Sequence, residues 1–188
     1  PQCSACKASR VRVDRFVPNR SQKRCLKRNA DLEIEVAPAR FDEAVFQLYR
    51  RYLEARHRGG GMDDSDREDF ERFLCTPWSP TQFVLMRHQG ELLACAVTDQ
   101  SGDGYSAVYT FFDPQSTQRS LGVFAILTQL QLTREAGLPY LYLGYWIEGH
   151  PKMHYKTQYQ PIELFERGQW QEADDLKRHD DGQRTETR

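Results

Sequence analysis

The spacing of apolar residues along this chain changes period several times, and each change marks an element. Residues 10–17 read Arg-Val-Arg-Val-Asp-Arg-Phe-Val, the period of two of a half-buried strand with bases on one face. Ser21 to Arg28 is polar and reads as a short helix, and Leu32-Glu33-Ile34-Glu35-Val36 alternates again as a strand that Pro38 ends. From Asp42 to His57 the period lengthens: Val45, Leu48, Tyr49, Tyr52 and Leu53 form one helical stripe. Arg56, His57 and Arg58 fall in its last turn, where positive charge complements the helix dipole, and Gly59-Gly60-Gly61 breaks it. Ser65-Asp66-Arg67-Glu68 has the form of a capping box and predicts a second helix to about Leu74.

Three strands follow, Phe83–Arg87, Leu92–Asp99 and Tyr105–Phe112, joined by Gln89-Gly90 and Ser101-Gly102-Asp103-Gly104 as an antiparallel meander. A long helix is predicted from Ser116 to Glu135, stopped by Gly137-Leu138-Pro139. Tyr140–Ile147 reads as an aromatic strand, and Ile162–Glu166 pairs with the segment around Trp170 in a last hairpin. This order resembles the layout of the Gcn5-related N-acetyltransferase fold: α+β, a mixed, mainly antiparallel sheet flanked by helices. In that fold the long helix begins with a phosphate-cradling loop, [RQ]-x-x-G-x-[GA], whose glycines let backbone N–H groups approach a pyrophosphate. The matching stretch is Arg119-Ser120-Leu121-Gly122-Val123-Phe124. Arg119 and Gly122 fit, whereas a phenyl ring at Phe124 is expected to crowd a pyrophosphate. A helix start with no ligand is the plainer reading of the same six residues.

Composition narrows the class. With 188 residues, 39% hydrophobic and 28% charged, the chain has enough apolar material for a core, which excludes full disorder. No apolar run approaches the roughly 20 residues of a membrane span and no signal peptide is visible, so no membrane partner and a cytoplasmic location are expected. Pro1-Gln2-Cys3 opens the chain without a Met, which reads as a fragment of something longer. The net charge of −1 hides an asymmetry: residues 1–28 carry nine Lys/Arg against one acid, Asp14, or +8, and the remainder sums to −9. Such an arm suits a polyanion, and it is equally what a solvated surface arm looks like. The five cysteines are odd in number, and Cys75 and Cys95 sit among apolar residues as reduced buried thiols do. Cys3-x-x-Cys6 is half of a zinc or iron–sulfur spacing. Cys25 is a possible third ligand but no second pair follows, so no metal site is expected.

Longer strings carry a sharper resemblance. Val11-Arg12-Val13, Pro18-x-Arg20-Ser21-Gln22, Tyr52-x-x-Ala55-Arg56-His57-x-Gly59-Gly60-Gly61-Met62-Asp63, Ser106-x-Val108-Tyr109-Thr110-Phe111, Asp113-Pro114, Ser120-Leu121-Gly122, Tyr142-Leu143-Gly144-Tyr145-Trp146-Ile147 and Lys152-Met153-x-Tyr155-Lys156 resemble the aminoacyl-tRNA–protein transferase family, and within it the bacterial aspartate/glutamate leucyltransferases. The resemblance spans roughly residues 1–170. It implies a Gcn5-related-type domain that takes an aminoacyl-tRNA instead of acetyl-CoA. The amino acid goes to the N-terminal α-amine of proteins beginning with Asp or Glu, tagging them for N-degron proteolysis. It also implies a division into residues 1–28, the basic, Cys-containing remnant of an N-terminal domain, and 29–170, the catalytic domain; the polar composition of 171–188, with only Ala173 and Leu176 apolar, reads as a disordered tail. The family's third cysteine is Ser9 here.

The chemistry names its candidates. The donor is an ester of the tRNA 3′ hydroxyl and already activated, so no cofactor is required. The acceptor amine, of pKa about 8, must lose a proton, the oxyanion needs a donor and the leaving oxygen needs a proton. Tyr142 and Tyr145 are candidate hydroxyl donors or plain aromatic core. Asp113 is a candidate to orient the ammonium or a turn-forming Asp, and His57 is a candidate base or a structural helix end. Arg56, Lys152, Tyr155 and Lys156 are candidate ligands of the acceptor carboxylate or of tRNA phosphates. Ser120, Leu121 and Gly122 would take the terminal phosphate, and Gly59, Gly60 and Gly61 would allow a loop close approach. The competing readings are an arginyl-tRNA–protein transferase, a CoA-dependent N-acetyltransferase and a non-catalytic RNA-binding module. The oligomeric state is not written in the sequence.

Overall fold

The computed structural model describes residues 5–56, 66–75 and 79–173. In chain order the elements are β1 (Lys7–Arg12), α1 (Arg20–Arg28), β2 (Glu33–Pro38), α2 (Glu43–Arg56), α3 (Arg67–Leu74), β3 (Thr81–His88), β4 (Glu91–Ser101), β5 (Gly104–Phe112), α4 (Leu121–Glu135), β6 (Tyr140–Trp146), β7 (Ile162–Glu166) and β8 (Gln169–Glu172). The strands form one sheet in the order β2-β3-β4-β5-β6-β1-β7-β8. Neighbours are antiparallel except β5 and β6, which run parallel. The α+β class, the meander, the aromatic strand and the last hairpin follow the periodicities. No helix among the described residues is long and apolar enough to cross a membrane.

Strand parity divides the core into two halves. From β3, Val84 and Met86 join the cluster of α1 and α4, whereas Phe83 and Leu85 join that of α2 and α3. Phe70 of α3 is fully buried there, edge-on to Phe46 and Tyr49 at 5.4 Å. The helices start on polar caps. Asn19 accepts from Ser21 and Gln22 N–H while the Gln22 side chain returns to Asn19 N–H, closing a capping box for α1. Asp42 Oδ1 accepts from Val45 N–H at the head of α2.

Several expected boundaries move. The first strand starts at Lys7 and stops at Arg12, because the chain turns there: Arg15 N–H donates to Arg12 O and Val13 N–H leaves for Pro139 O. β1 lies between β6 and β7, and α1 carries the buried Cys25 into the core of α4. Asp66 caps α3 through Asp69 N–H; Ser65 lies outside the described residues. The long helix does not begin at Ser116. A 3₁₀ turn, Thr117–Arg119, comes first and Ser120 breaks it at φ 55°, ψ 47°, so α4 begins at Leu121. All but three residues of the expected tail 171–188 lie outside the described residues.

The feature that positions everything else is a split between β5 and β6. They pair only at Gly104–Ser106 with Tyr140–Tyr142. Within two residues of the last shared pair, each strand carries a bulge toward its other neighbour. Val108 is the extra residue of β5 against β4, and Leu143 that of β6 against β1. A bulge sharpens local twist and bends its strand, so β5 follows β4 and β6 follows β1, and the sheet opens into a V.

The apex of the V requires Gly104. A Cβ there would lie 2.3 Å from Tyr140 O, a backbone atom that cannot move aside. Gly104→Ala is expected to destabilise by about 1–3 kcal/mol or more, the cost of overpacking a fixed site. At Gly102, in the adjacent turn, an added Cβ meets nothing within 4 Å, so Gly102→Ala should stay within about 0.5 kcal/mol. Urea denaturation of the two variants checks this, and equal losses would show that the apex is not the tight point.

Candidate active site

The open end of the V has two lips. On the β5 side the strand runs into Asp113, whose carboxylate holds the following turn: Oδ2 accepts from Ser116 Oγ at 2.6 Å and Oδ1 from Gln115 N–H at 3.3 Å. The turn-forming reading of Asp113 therefore describes its contacts. Ser120 then adopts a left-handed conformation that a non-glycine residue holds at a cost of about 1 kcal/mol. What holds it is the far end of α1. Arg28 donates to Gln118 O, the Asn29 amide to Arg119 O at 2.8 Å, and the Cys25 thiol lies 3.7 Å from Ser120 O. Arg119 makes two 2.9 Å bonds to Asp31. Three consecutive carbonyls are thus pinned by one short helix and its cap. Val123 and Phe124 N–H both close on Ser120 O, leaving Leu121 and Gly122 N–H as the open donors of α4.

The rings near this helix start are not the ones expected. Phe124 is buried in the α1–α4 core and does not crowd the mouth. Phe112 does: a Cβ on Gly122 would lie 3.3 Å from its Cε1, so glycine here makes room for a ring. Tyr52 packs on Phe112 at 5.1 Å, and the Arg56 guanidinium lies 5.4 Å from its centroid. Tyr109 lies edge-on to Tyr52 at 6.4 Å. The sequence alone does not single out Tyr52, Tyr109 or Phe112 for the site. Tyr52 and Tyr109 fall in family-like strings, and that is their only signal.

On the β6 side, Gly144 takes φ 73° beside the bulge, and Ser9 Oγ donates to its carbonyl at 2.9 Å. The residue standing in for the family's cysteine is thus a fully buried strut of this lip. Tyr145 is 63% exposed at its tip. A 3₁₀ segment, Pro151–Gln158, folds back on β6 and delivers Tyr155 and Lys156. Lys156 is 7% exposed, and its Nζ donates to Tyr145 O at 2.5 Å without a carboxylate partner among the described residues. Burial lowers its pKa. Burial likewise raises the Tyr155 phenol, and the neighbouring Tyr52 adds to the rise. Burial also raises Tyr109. These phenols remain neutral O–H donors at physiological pH.

Not all candidates converge. Lys152 is exposed while Lys156 is buried, because a 3₁₀ segment repeats every three residues and a spacing of four changes face. Tyr142 lies at the paired end of the V, where its hydroxyl donates to Asp103 at 3.0 Å and accepts from Arg10 at 3.5 Å. Arg10 itself is stacked 3.5 Å from the Tyr140 centroid and 4.1 Å from that of Trp170, and bonded to Glu163 at 2.6 Å. The sequence presents it only as one base of the arm. His57, Gly59, Gly60, Gly61 and Cys3 lie outside the described residues, and Cys6 is exposed.

A sheet split beside a helix start is the frame of an acyl-transfer fold, and solved structures share it. The C-terminal domain of a lysylphosphatidylglycerol synthetase from Agrobacterium fabrum superposes with TM-score 0.58 at 16% identity, over 76% of this chain and 47% of that one. A GCN5-related glucosamine N-acetyltransferase region of a fungal multi-domain GH3 β-N-acetylglucosaminidase gives 0.52 at 6% identity, over 85% and 20%. These likenesses are of fold. The chain belongs to the aminoacyl-tRNA–protein transferases: residues 44–166 match the family described as arginine-tRNA-protein transferase, C terminus. An aspartate/glutamate leucyltransferase of Stenotrophomonas maltophilia is 51% identical over 179 residues, 92% of this chain and 71% of the relative.

The clamp on Ser120 is sensitive to acid. Arg119 holds Asp31 down at about 2. A depressed carboxylate stabilises above its unfolded pKa of about 4 and loses that stabilisation as pH falls through the folded value. The stability gap between wild type and Asp31→Asn should therefore be full at pH 6 and close toward pH 2, as followed by urea titrations. A gap constant over that range would show that the charge plays no part in the clamp.

Proposed function

We propose that this chain transfers leucine from leucyl-tRNA to the N-terminal α-amine of proteins beginning with Asp or Glu, in the cytoplasm, marking them for N-degron proteolysis. The observation that carries the reading is the mouth of the V. It joins an open helix start to a wall of neutral aromatic side chains, with the cations Arg56 and Lys156 beside them. Leu121 and Gly122 N–H suit one terminal phosphate of the tRNA 3′ end. Tyr52, Tyr109, Phe112 and Tyr155 offer faces for a nucleobase and apolar room for a leucyl side chain. Arg56 disfavours an arginyl donor, whose guanidinium would meet like charge, and the carboxylate of the β5 lip, Asp113, is already engaged by Ser116 and Gln115. A CoA pyrophosphate fits poorly, since Arg119 is tied to Asp31 and Phe112 occupies the space over Gly122.

The step needs only the ester and the amine. The amine nitrogen attacks the ester carbonyl, the carbon–oxygen bond to the ribose breaks, and the proton lost by the amine ends on the 3′ oxygen. Tyr145 and Tyr155, hydroxyls on the β6 lip, are candidates to donate to the oxyanion or the leaving oxygen. Lys156 is a desolvated cation without a carboxylate partner among the described residues, a costly state that the acceptor's Asp or Glu carboxylate relieves. Preference for acidic N-termini follows from that need.

The decisive assay supplies the natural enzyme with radiolabelled leucyl-tRNA, arginyl-tRNA or acetyl-CoA and a peptide beginning with Asp. Label should pass from leucyl-tRNA alone; transfer only from arginyl-tRNA, or only from acetyl-CoA, overturns the reading. Lys156→Met, which keeps the buried stem and removes the charge, should lower kcat/KM for the Asp peptide about 10–100-fold, the worth of a hydrogen bond to a charged group. Wild-type turnover in a folded Lys156→Met enzyme removes Lys156 from the site.

A further inference from the structure

The nine bases of residues 1–28 are not equivalent. Lys7, Arg10, Arg12 and Arg15 each pair with an acid: Glu166, Glu163, Asp14 and Glu172. Arg28 is spent on Gln118 O. The remaining four, Arg20, Lys23, Arg24 and Lys27, are exposed and pair with no acid among the described residues. Their spacing is i, i+3, i+4, i+7, so they form a single stripe along α1. Gln22, Cys25, Leu26 and Asn29 follow the same spacing on the other side and face the protein. No acid stands in the first turn to offset the stripe.

The inner stripe says what the outer one lies beside. At one end Cys25 and Asn29 hold Arg119 and Ser120, the approach to α4. At the other, buried Gln22 donates to Gln158 O at 3.0 Å, the end of the segment that carries Tyr155 and Lys156. α1 therefore bridges both lips of the mouth with one face and turns four free cations outward with the other. A helix of nine residues is about 13 Å long, enough to follow a nucleic-acid backbone over a few phosphates.

We infer that the outer stripe of α1 is the dock for the phosphate backbone of the donor tRNA's acceptor stem, the duplex that leads to the 3′ end in the mouth. The inference rests on the leucyl-transfer reading for its occupant. The stem's phosphates supply the anions that the stripe lacks, and its position beside both lips sets the register of the 3′ end. Phosphate contacts of this kind position without reading sequence, so the dock serves any acceptor stem whose end fits the mouth.

The test compares wild type with the combined variant Arg20→Gln, Lys23→Gln, Arg24→Gln and Lys27→Gln, which leaves the inner face untouched. Two donors are used, leucyl-tRNA and the leucyl ester of a CCA trinucleotide, which has the 3′ end and no stem. The variant should raise KM for leucyl-tRNA at least tenfold at 0.15 M salt with kcat unchanged, and leave transfer from the trinucleotide unchanged. Affinity for deacylated tRNA, read by fluorescence anisotropy, should fall, and the slope of log affinity against log salt should shrink by about 0.7–0.9 for each phosphate that the variant no longer neutralises. Equal loss on both donors overturns the proposal in favour of a scaffold role, and a raised KM for the acceptor peptide alone overturns it in favour of an acidic protein partner. Unchanged tRNA affinity and slope overturn it outright. Anisotropy does not depend on transfer. A wild type that binds tRNA through α1 but moves no leucine overturns the proposed reaction and not the dock.

Discussion

Two β-bulges, at Val108 and Leu143, sit within two residues of the last shared pair of β5 and β6. Everything the mouth does depends on them. A sheet that stayed paired would bury its backbone donors and acceptors between strands and leave no gap. Here each strand stays hydrogen-bonded on its outer side while the bulge turns it away from the inner one, so the gap opens without stripping either strand of its ladder. Gly104 lets the strands touch at the apex, and Gly144 takes the positive φ beside the second bulge. Ser9 secures that bulge from β1, which ties the first strand of the chain to the geometry of the sixth.

The elements were legible in the sequence because their signals are local. The stripe of Val45 to Leu53 and the turns at Gln89-Gly90 and Gly102 depend on neighbours a few residues away, and each fell within a residue or two of its expected bounds. The break at Ser120 had no local signal. A serine in the left-handed region looks like any serine, and its restraints, Cys25, Arg28 and Asn29, are about 90 residues distant. The two lysines differ in burial for a different reason. A spacing of four implies a shared face at 3.6 residues per turn, and the segment winds at three, so Lys152 and Lys156 part company. Tyr142 and Tyr145 were grouped by sequence proximity, yet the split passes between them. One hydroxyl is held by Arg10 and Asp103, and the other side chain stands in the open.

Charge shows the same distinction between local and distant. The basic arm reads as a single block of +8, but four of its nine bases are paired, three with acids more than 100 residues away and one with Asp14, which that sum already counts. What remains free is confined to one face of one helix. The exposed pairs among them, Arg12–Asp14 and Arg15–Glu172, contribute little to stability. Their effect is to subtract bases from β1 and leave the field concentrated on α1, where the inner face is already committed to both lips of the mouth.

The choice of donor can be argued from the same distant contacts. The six-residue loop at 119–124 retains an arginine and a glycine and, by motif alone, keeps the option of a pyrophosphate. Two side chains outside the motif close that option. Asp31 takes the guanidinium through two bonds, and Phe112 fills the space that the glycine leaves bare. Neither change touches the Leu121 and Gly122 N–H groups, so the helix start keeps its attraction for a single phosphate while losing its fit to two. On the proposed reading, the helix start thereby suits a singly phosphorylated end better than a diphosphate. The discrimination rests on residues that a motif search around α4 does not read.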